Sequence, residues 1–252
     1  MAVTFHADGA VGHIAISRPE RRNALNHTAL DELHDCVRRA ADTEVRALVL
    51  TGTDDQFCSG ADLKELEDLS FTTALRAALD DLAALPVPTI AAIPGACMGL
   101  GMQLALACDL RLATTEARFA VPVAKLGLMV DHWTVQRLAL LAGHSTARWM
   151  LLTARPVDAD RAHAVGLVHE LVDGSPPGEA VLAAADELAA SITRLAPLAL
   201  AGSKHGLDLL ERADIDRSGS YRAAFESAWA SDDLVEGRSA FGEGRRPEFR
   251  GR

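Results

Sequence analysis

Two glycine-containing segments are the part of this sequence where the main chain could do chemistry. The first reads FCSGADL over residues 57–63, and the second reads PGACMGLG over residues 94–101. Each lies between a predicted strand and a predicted helix, where small residues let the backbone approach a ligand and the first helical N–H groups have no partner. Two such groups converging on one point would bind a carbonyl oxygen that becomes an oxyanion, with roughly 3–4 kcal/mol from each. Taken alone, each segment is more simply explained as a tight connection with a helix-capping glycine.

Conventional catalytic motifs are missing from the sequence. The nine histidines form no HExxH motif and no cluster with metal-ligand spacing, and neither GxSxG nor GxxxxGK[ST] occurs. Gly99 and Gly101 open a predicted helix, but Leu104 stands where a dinucleotide-binding GxGxxG motif has its third glycine. We therefore expect no metal and no permanently bound cofactor.

The elements that must position the two segments alternate along most of the chain. Strands are predicted at 11–17, 47–51, 87–93, 110–113 and 118–121, and helices at 26–41, 72–84, 99–107, 134–141, 146–152 and 159–165. Residues 47–51 form a short apolar run closed by Gly52, which is typical of a parallel strand buried on both faces. This alternation predicts an α/β fold. From about residue 178 onward the pattern is helical, which indicates a helical appendage or an oligomerisation segment.

Composition and charge exclude several classes of protein. The 252 residues include 25 Lys and Arg against 35 Asp and Glu, a net charge of −10 that disfavours binding to nucleic acid. Residues 82–108 carry no charge, but prolines and glycines interrupt them, so we expect no membrane span. The four cysteines form no CxxC pair and the N-terminus has no export signal, which together predict a cytoplasmic protein with reduced thiols.

Five segments together resemble the enoyl-CoA hydratase/isomerase, or crotonase, superfamily. They are ISRPERRNALN (16–26), FCSGADL (57–63), GACMGLGMQLALACDLRLA (95–113), LTARPVDADRAHAVGLV (152–168) and FGEGRRPEF (241–249). The match spans the chain with its spacing intact. The resemblance implies a spiral of ββα units (1–195) that holds an acyl-CoA site, followed by a helical trimerisation region (196–252). It also implies a homotrimer or a dimer of trimers.

The same resemblance implies which residues bind the ligand. The family binds acyl-CoA thioesters and stabilises a thioester enolate with two backbone N–H groups, which correspond here to Ala61 and Leu100. Contacts to CoA carry over to Arg22, Ala24, Ala61, Asp62, Leu63, Lys64 and Leu100. Arg22 is the candidate phosphate contact, although a single arginine there is also explained as a solvated side chain. Arg18 and Arg21 extend this basic patch, and Arg245 and Arg246 offer a second one.

The sequence departs from the family at two positions that matter for hydration. Family hydratases use two glutamates to position and activate water, and the matching residues here are Gln103 and Val123. A glutamine does not exchange a proton at neutral pH, and a valine neither exchanges one nor forms a hydrogen bond. Because a positioned acid or base contributes about 10²–10⁴-fold to a rate, we expect classical hydration to be weak or absent.

Asp131 has two interpretations. It matches the aspartate with which some family isomerases move a proton between the α and γ carbons of an enoyl-CoA. That role needs a raised pKa, which the apolar neighbours Met129, Val130 and Trp133 could supply. Alternatively, Asp131 caps the helix predicted to begin near Thr134.

Two functional hypotheses follow from these departures. The first is an acyl-CoA binder or carrier of fatty-acid metabolism that delivers chains to a lipid-synthesising protein partner. It resembles actinobacterial paralogues that lack both glutamates. The second is an enoyl-CoA isomerase in which Asp131 is the general acid and base, with Ala61 and Leu100 as the oxyanion hole.

Overall fold

Strands and helices alternate along the chain. The computed structural model describes residues 1–62, 70–211, 220, 223, 226, 227 and 230–252. Strands in this part of the chain are β1 (Val3–Asp8), β2 (Val11–Ile16), β3 (Ala47–Gly52), β4 (Thr89–Ile93), β5 (Ala96–Met98), β6 (Leu110–Thr114), β7 (Arg118–Ala120), β8 (Val157–Asp158) and β9 (Glu170–Val172). Helices are α1 (His27–Ala41), α2 (Ser70–Ala84), α3 (Leu100–Ala107), α4 (His132–Thr153), α5 (Ala159–Ala164), α6 (Pro177–Ile192), α7 (Pro197–Glu211) and α8 (Asp232–Glu243). Short 3₁₀ turns lie at Pro19–Arg21 and Pro122–Leu126.

The strands form two sheets. The larger has the order β1-β2-β3-β4-β6-β9 and is parallel except for the β1–β2 hairpin, and the smaller has the order β5-β7-β8. In the units β4–β5–α3 and β6–β7–α4, the first strand joins the larger sheet, the second joins the smaller sheet, and a helix follows. This arrangement confirms the predicted α/β spiral of ββα units.

The central strands are buried on both faces, as the apolar run at 47–51 predicted. On β3, Ala47 and Val49 pack in a cluster that includes one side of α6. Leu48 and Leu50 point to the opposite face and join the larger core together with α1 and α2. Because side chains alternate across a strand, one short segment joins two layers of helices to the sheet.

Several short elements differ from the sequence prediction. The strands β1, β5, β8 and β9 were not predicted, since runs of two or three residues have no readable period and β1 carries polar residues. The helices predicted at 134–141 and 146–152 occur within α4, which is broken at Gly143 by a φ of 75°. The predicted helix 26–41 is confirmed as α1, and Asn26 caps it by accepting a hydrogen bond from the Ala29 N–H.

The C-terminal residues fold back onto the chain's own core. Lys204 on α7 donates to Asp109 Oδ2 at 2.8 Å. Arg46 donates to the Phe249 carbonyl at 3.0 Å, and the Asp233 carboxylate accepts the backbone N–H groups of Arg250 and Gly251 at 2.6 and 2.8 Å. The division at residues 195 and 196 stays a prediction. No helix within the described residues is long and apolar enough to cross a membrane.

Candidate functional site

The structure brings the two glycine-containing segments together. The Cys58 N–H donates to the Ala96 carbonyl at 3.0 Å, and the Met98 N–H donates to the Cys58 carbonyl at 2.9 Å. Gly101 is required by this contact, because a Cβ atom there would lie 2.2 Å from the Cys58 carbonyl oxygen. Gly60 and Gly99 adopt positive φ angles of 123° and 52°, which favour glycine. Both segments are therefore tight connections and neighbours at one site.

Within the described part of the chain, the backbone N–H groups of Ala61 and Leu100 have no acceptor at this junction. Leu100 is the first residue of α3, so its N–H has no acceptor within the helix. Neither it nor the Ala61 N–H donates to any residue that the structure describes. A Cβ on Gly60 would lie 4.0 Å from the Leu100 nitrogen, so the two segments approach closely here. Ala61 and Leu100 both line one cavity.

That cavity has a volume of about 660 Å³ and is mainly apolar. Its hydrophobic lining is Phe71, Leu75, Leu79, Val123, Leu126, Leu128, Met129 and Val130. Its polar side chains are few and come from Ser59, Thr72, Arg76, Gln103, Lys125 and Asp131. Asp131 is thus the one carboxylate among the described lining residues. A chamber of this size, with a few polar groups at fixed positions, is typical of a small-molecule site.

Asp131 caps α4 at the wall of the cavity. Its Oδ1 accepts hydrogen bonds from the Thr134 backbone N–H at 3.0 Å and from the Thr134 hydroxyl. Its Oδ2 accepts from Arg76 Nη1 at 3.3 Å. Partial burial on its own raises the pKa of Asp131, but the hydrogen bonds from Thr134 and Arg76 outweigh it and lower the pKa from the ordinary value of 3.8. Asp131 is therefore the N-cap of α4. Its pKa is not raised, as a role in proton transfer would need, but lowered.

Gln103 is joined to the same cap. Its Nε2 donates to the Thr134 Oγ1 at 2.7 Å, and its side chain lies on α3 facing the cavity. Val123 lies on the 3₁₀ turn at Pro122–Leu126 and also lines the cavity. Gln103 and Val123, which the sequence resemblance matches to two family glutamates, both line the cavity with Leu100.

Arg76 on α2 extends the hydrogen-bonded chain across the cavity wall. It pairs with Asp80 at 2.8 Å and with Asp131, and its guanidinium lies 4.1 Å from the centroid of the Trp133 ring. Trp133 lines a second cavity of about 460 Å³ rather than the first. The sequence had no signal for Arg76. The cap near Thr134 was predicted from the sequence, but no signal pointed to the hydrogen bond that the Thr134 hydroxyl accepts from Gln103.

The arginine-rich loop 18–23 is held by its own chain. Asn23, which was not predicted, is fully buried and donates to the Thr53 and Gln56 carbonyls at 2.9 and 2.7 Å while its Oδ1 accepts from the Arg18 N–H at 2.8 Å. Arg18 also donates to the Ala24 carbonyl. These contacts place the loop beside the first glycine-containing segment. The Ser59 N–H of that segment donates a hydrogen bond to the Arg22 carbonyl at 3.1 Å.

The predicted CoA contacts fall into three groups. Ala61 and Leu100 line the cavity. Ala24 and Asp62 are buried, and the Asp62 carboxylate lies 3.3 Å from Arg18 Nη2 and 3.8 Å from Arg21 Nε, whereas Arg22 is exposed. Leu63 and Lys64 lie outside the described residues.

In the second basic patch, Arg245 is paired with carboxylates of its own chain. Arg245 pairs with Glu236 and with Glu243, each at 2.6 Å. Hydrogen bonds from Arg245 and from the Glu248 backbone lower the pKa of Glu236 to about 2. Arg246 makes no ion pair with a described residue.

The far end of α3 is fixed by a buried arginine. Arg111 is 1% exposed and donates to the carbonyls of Ala105, Cys108 and Leu167 at 3.1, 2.7 and 2.7 Å. Desolvation lowers its pKa to about 10.

The four cysteines are buried and unpaired, and burial raises the pKa of Cys58 to about 12. Groups of three or more His, Cys, Asp or Glu side chains placed to hold a metal do not occur in the described ranges.

The spiral of ββα units with its two joined segments defines a crotonase-like α/β fold. The structure aligns with crystallographic enoyl-CoA hydratase from Bacillus anthracis at a TM-score of 0.91, with 29% identity over all of both chains. The sequence is 38% identical over 244 residues to the Mycobacterium tuberculosis protein named "Probable enoyl-CoA hydratase echA6", with 96% of each chain covered. It is 35% identical to the human mitochondrial enoyl-CoA hydratase domain-containing protein 2, over 97% of this chain and 87% of that one. The family model for enoyl-CoA hydratase/isomerase matches residues 6–252, and the chain belongs to that family.

Proposed function

We propose that this protein binds acyl-CoA thioesters in the 660 Å³ cavity and has little or no hydratase activity. The observation that carries the proposal is that the Ala61 and Leu100 N–H groups, which donate to no described residue, adjoin an apolar chamber. A thioester offers one carbonyl oxygen to such donors and an alkyl chain to such a chamber. Membership of a family named for CoA thioesters supports this assignment of the ligand.

The expected lack of hydration rests on the side chains beside the carbonyl site. Gln103 and Val123 line the cavity at the positions where the family resemblance places two glutamates. Neither residue takes a proton from water at neutral pH. Gln103 is also held by Thr134, so a water molecule there would lack a base. A carrier that presents acyl groups to a lipid-synthesising partner is the functional context that we propose for such a binder.

A direct experiment measures binding and turnover on the same preparation. Calorimetric titration with saturated acyl-CoAs should give saturable binding, and crotonyl-CoA should keep its conjugated absorbance in the presence of the protein. Rapid hydration of crotonyl-CoA would contradict the proposed role of Gln103 and Val123. Absence of binding at every chain length would contradict the ligand class itself.

An enoyl-CoA isomerase is the second candidate, because Asp131 is the one carboxylate among the described residues of the cavity. Its lowered pKa and its three hydrogen bonds disfavour a role as base, since a proton shuttle must exchange protons near neutral pH. Conversion of 3-enoyl-CoA to 2-enoyl-CoA that disappears in Asp131→Ala would establish this activity in place of a pure carrier.

A trimeric or hexameric assembly is part of the proposal. The C-terminal helices expose large apolar side chains, with Leu207 62%, Leu210 73% and Val235 69% accessible in the single chain. A subunit interface formed by these helices would cover these side chains. Sedimentation equilibrium should therefore give three or six times the mass of the 26.7 kDa chain, and a monomeric mass would contradict the assembly.

A further inference from the structure

Two exposed arginines lie against one indole ring near the end of α4. The guanidinium carbons of Arg155 and Arg161 are 5.7 and 5.1 Å from the centroid of the Trp149 ring. Neither side chain forms an ion pair with a carboxylate in the described part of the chain. Leu152 follows Trp149 by about one helical turn and is 75% exposed. These four residues form one surface, which we call the Trp149 patch.

The Trp149 patch has the composition of a protein interface. Tryptophan and arginine are enriched at the positions that contribute most to binding in interfaces. The indole attracts both guanidinium groups by cation–π contact, so the positive charges are in place before a partner binds. Of the carboxylates in the same segment, Asp158 accepts the Arg161 backbone N–H at 2.9 Å, and Asp160 forms no ion pair with a described residue. The patch therefore offers two positive charges and an apolar contact to an acidic surface.

A surface of the opposite charge lies at the other end of α4. The second cavity, with a volume of about 460 Å³, is a groove lined by residues of α2, α4 and α7. Its described lining has one guanidinium and three carboxylates, those of Asp80, Asp81 and Asp208. Asp80 contacts Arg76 and Asp81 contacts His34, but the two aspartate side chains are 62% and 50% exposed and an ionised carboxylate accepts from several donors. The groove therefore carries an excess of negative charge that a further cation can reach.

Exposed leucines lie at the same groove. Leu140 on α4 lines it and is 54% exposed, and Leu207 on α7, next to the lining residue Asp208, is 62% exposed. The groove thus matches the Trp149 patch, where an exposed leucine lies among arginines. The break of α4 at Gly143 separates the two surfaces, so each chain presents both.

We propose that the Trp149 patch of one copy docks into this groove of a second copy and that three copies close into a ring. This inference rests on the trimeric assembly proposed above. A contact between two different surfaces is heterologous, and in a closed ring every patch and every groove is occupied. Trp133 lines the groove, and its ring lies 4.1 Å from the guanidinium of Arg76, which lines the acyl cavity. The docked copy therefore lies behind the wall of its neighbour's acyl cavity.

Charge reversal tests the patch. Sedimentation equilibrium should give the wild type three times the 26.7 kDa mass of the chain, or six times if two rings associate. Arg155→Glu/Arg161→Glu should reduce the mass to that of one chain, because like charges then face each other in the groove. Arg38→Glu/Arg194→Glu reverses two other exposed arginines that form no ion pair with a described residue, and it should keep the wild-type mass.

Substitutions in the groove test the pairing. Asp81→Arg/Asp208→Arg should also give the mass of one chain. The quadruple variant that combines both reversals has opposite charges across the contact again and should return to the wild-type mass, a rescue that misfolding does not produce. Asp81→Asn/Asp208→Asn removes the charges with little change of shape and should weaken association at least about tenfold, the scale of the loss of hydrogen bonds between charged groups. This milder variant tests the groove even if reversal to arginine prevents folding.

The possible failures are distinguishable. An assembly that survives Arg155→Glu/Arg161→Glu would overturn the role of the patch. Loss of assembly in that variant, with full assembly in Asp81→Asn/Asp208→Asn, would overturn the groove as its receptor. A wild-type mass of two chains would overturn the ring, and a mass of one chain would overturn the proposed assembly as well. A wild-type trimer that binds no acyl-CoA would contradict the proposed ligand and leave the interface standing.

Discussion

Two neighbouring parts of the cavity wall, called here the main-chain end and the side-chain end, offer different groups to a ligand. At the end formed by Ala61 and Leu100, the groups offered to a ligand are main-chain N–H groups, and they are fixed by backbone hydrogen bonds between the two glycine-containing segments. At the end formed by Gln103 and Asp131, they are side chains joined in one chain of hydrogen bonds. A substitution alters a side chain directly but reaches a main-chain group only through the fold. We infer that the first end recognises the thioester and the second determines which acyl groups bind and whether they react.

The main-chain end should be broken most severely by Gly101→Ala. The added Cβ would lie 2.2 Å from the Cys58 carbonyl oxygen and 2.8 Å from the Cys58 Cβ, so the two segments would separate. We expect a loss of about 3 kcal/mol in the free energy of unfolding, at the upper end of the usual cost of overpacking, and no measurable acyl-CoA binding.

Gly237→Ala is the matched control, since Gly237 also lies in a helix but its added Cβ would have only an ordinary 3.4 Å contact with Phe249. It should stabilise α8 by about 0.5–1 kcal/mol. Chemical denaturation and calorimetry measure both effects. Equal unfolding free energies and equal acyl-CoA binding in the two variants would contradict the claim that the two glycine-containing segments are in close contact at Gly101.

At the side-chain end, by contrast, introducing carboxylates should create hydratase activity. The double variant Gln103→Glu/Val123→Glu places two carboxylates in the cavity, where water can be activated beside the carbonyl site. We expect crotonyl-CoA hydration to rise at least about 10²-fold over the wild type, the lower limit for positioned acid–base groups. No increase, with saturated acyl-CoA still bound, would mean that the missing carboxylates are not what limits hydration.

The helix-capping role of Asp131 predicts a smaller effect. Asp131→Ala should lower the free energy of unfolding by about 1 kcal/mol, as expected for the loss of an N-cap. Asp158→Ala removes the N-cap of α5 and should cost a similar amount. Thermal or urea denaturation compares the two. A wild-type stability for Asp131→Ala would contradict the capping interaction.

The pH dependence of the same cap should be the smallest effect. The folded protein lowers the pKa of Asp131 below 3.8, so the carboxylate stabilises the fold above that pH and its contribution disappears as the pH falls through the lowered pKa. The difference in unfolding free energy between wild type and Asp131→Asn should be constant from about pH 5 to pH 8 and should shrink below about pH 4. A difference in unfolding free energy that grows on acidification would contradict the lowered pKa of Asp131.

The same contrast explains how much the sequence could predict. The main-chain end was predictable, because the glycines and the strand–helix junctions are visible in the sequence and the resemblance supplied Ala61 and Leu100. The chain of side chains was not, because Arg76 reaches Asp131 from 55 residues away and Gln103 reaches Thr134 from 31 residues away. Only packing of α2 and α3 against α4 brings these residues together. For Asp131 the sequence allowed both a cap and a base, and the hydrogen bonds of the folded chain lower the pKa instead of raising it.

Carbon-13 NMR of a 2-enoyl-CoA labelled at C3, mixed with an equimolar amount of the wild-type protein, tests the central claim most directly. The claim is acyl-CoA binding without hydration. It predicts that the labelled carbon keeps an alkene chemical shift while its resonance broadens or moves in the presence of the protein. Conversion of that signal to the shift of a hydroxyl-bearing carbon within minutes would contradict the account, and so would a resonance that the protein leaves unchanged.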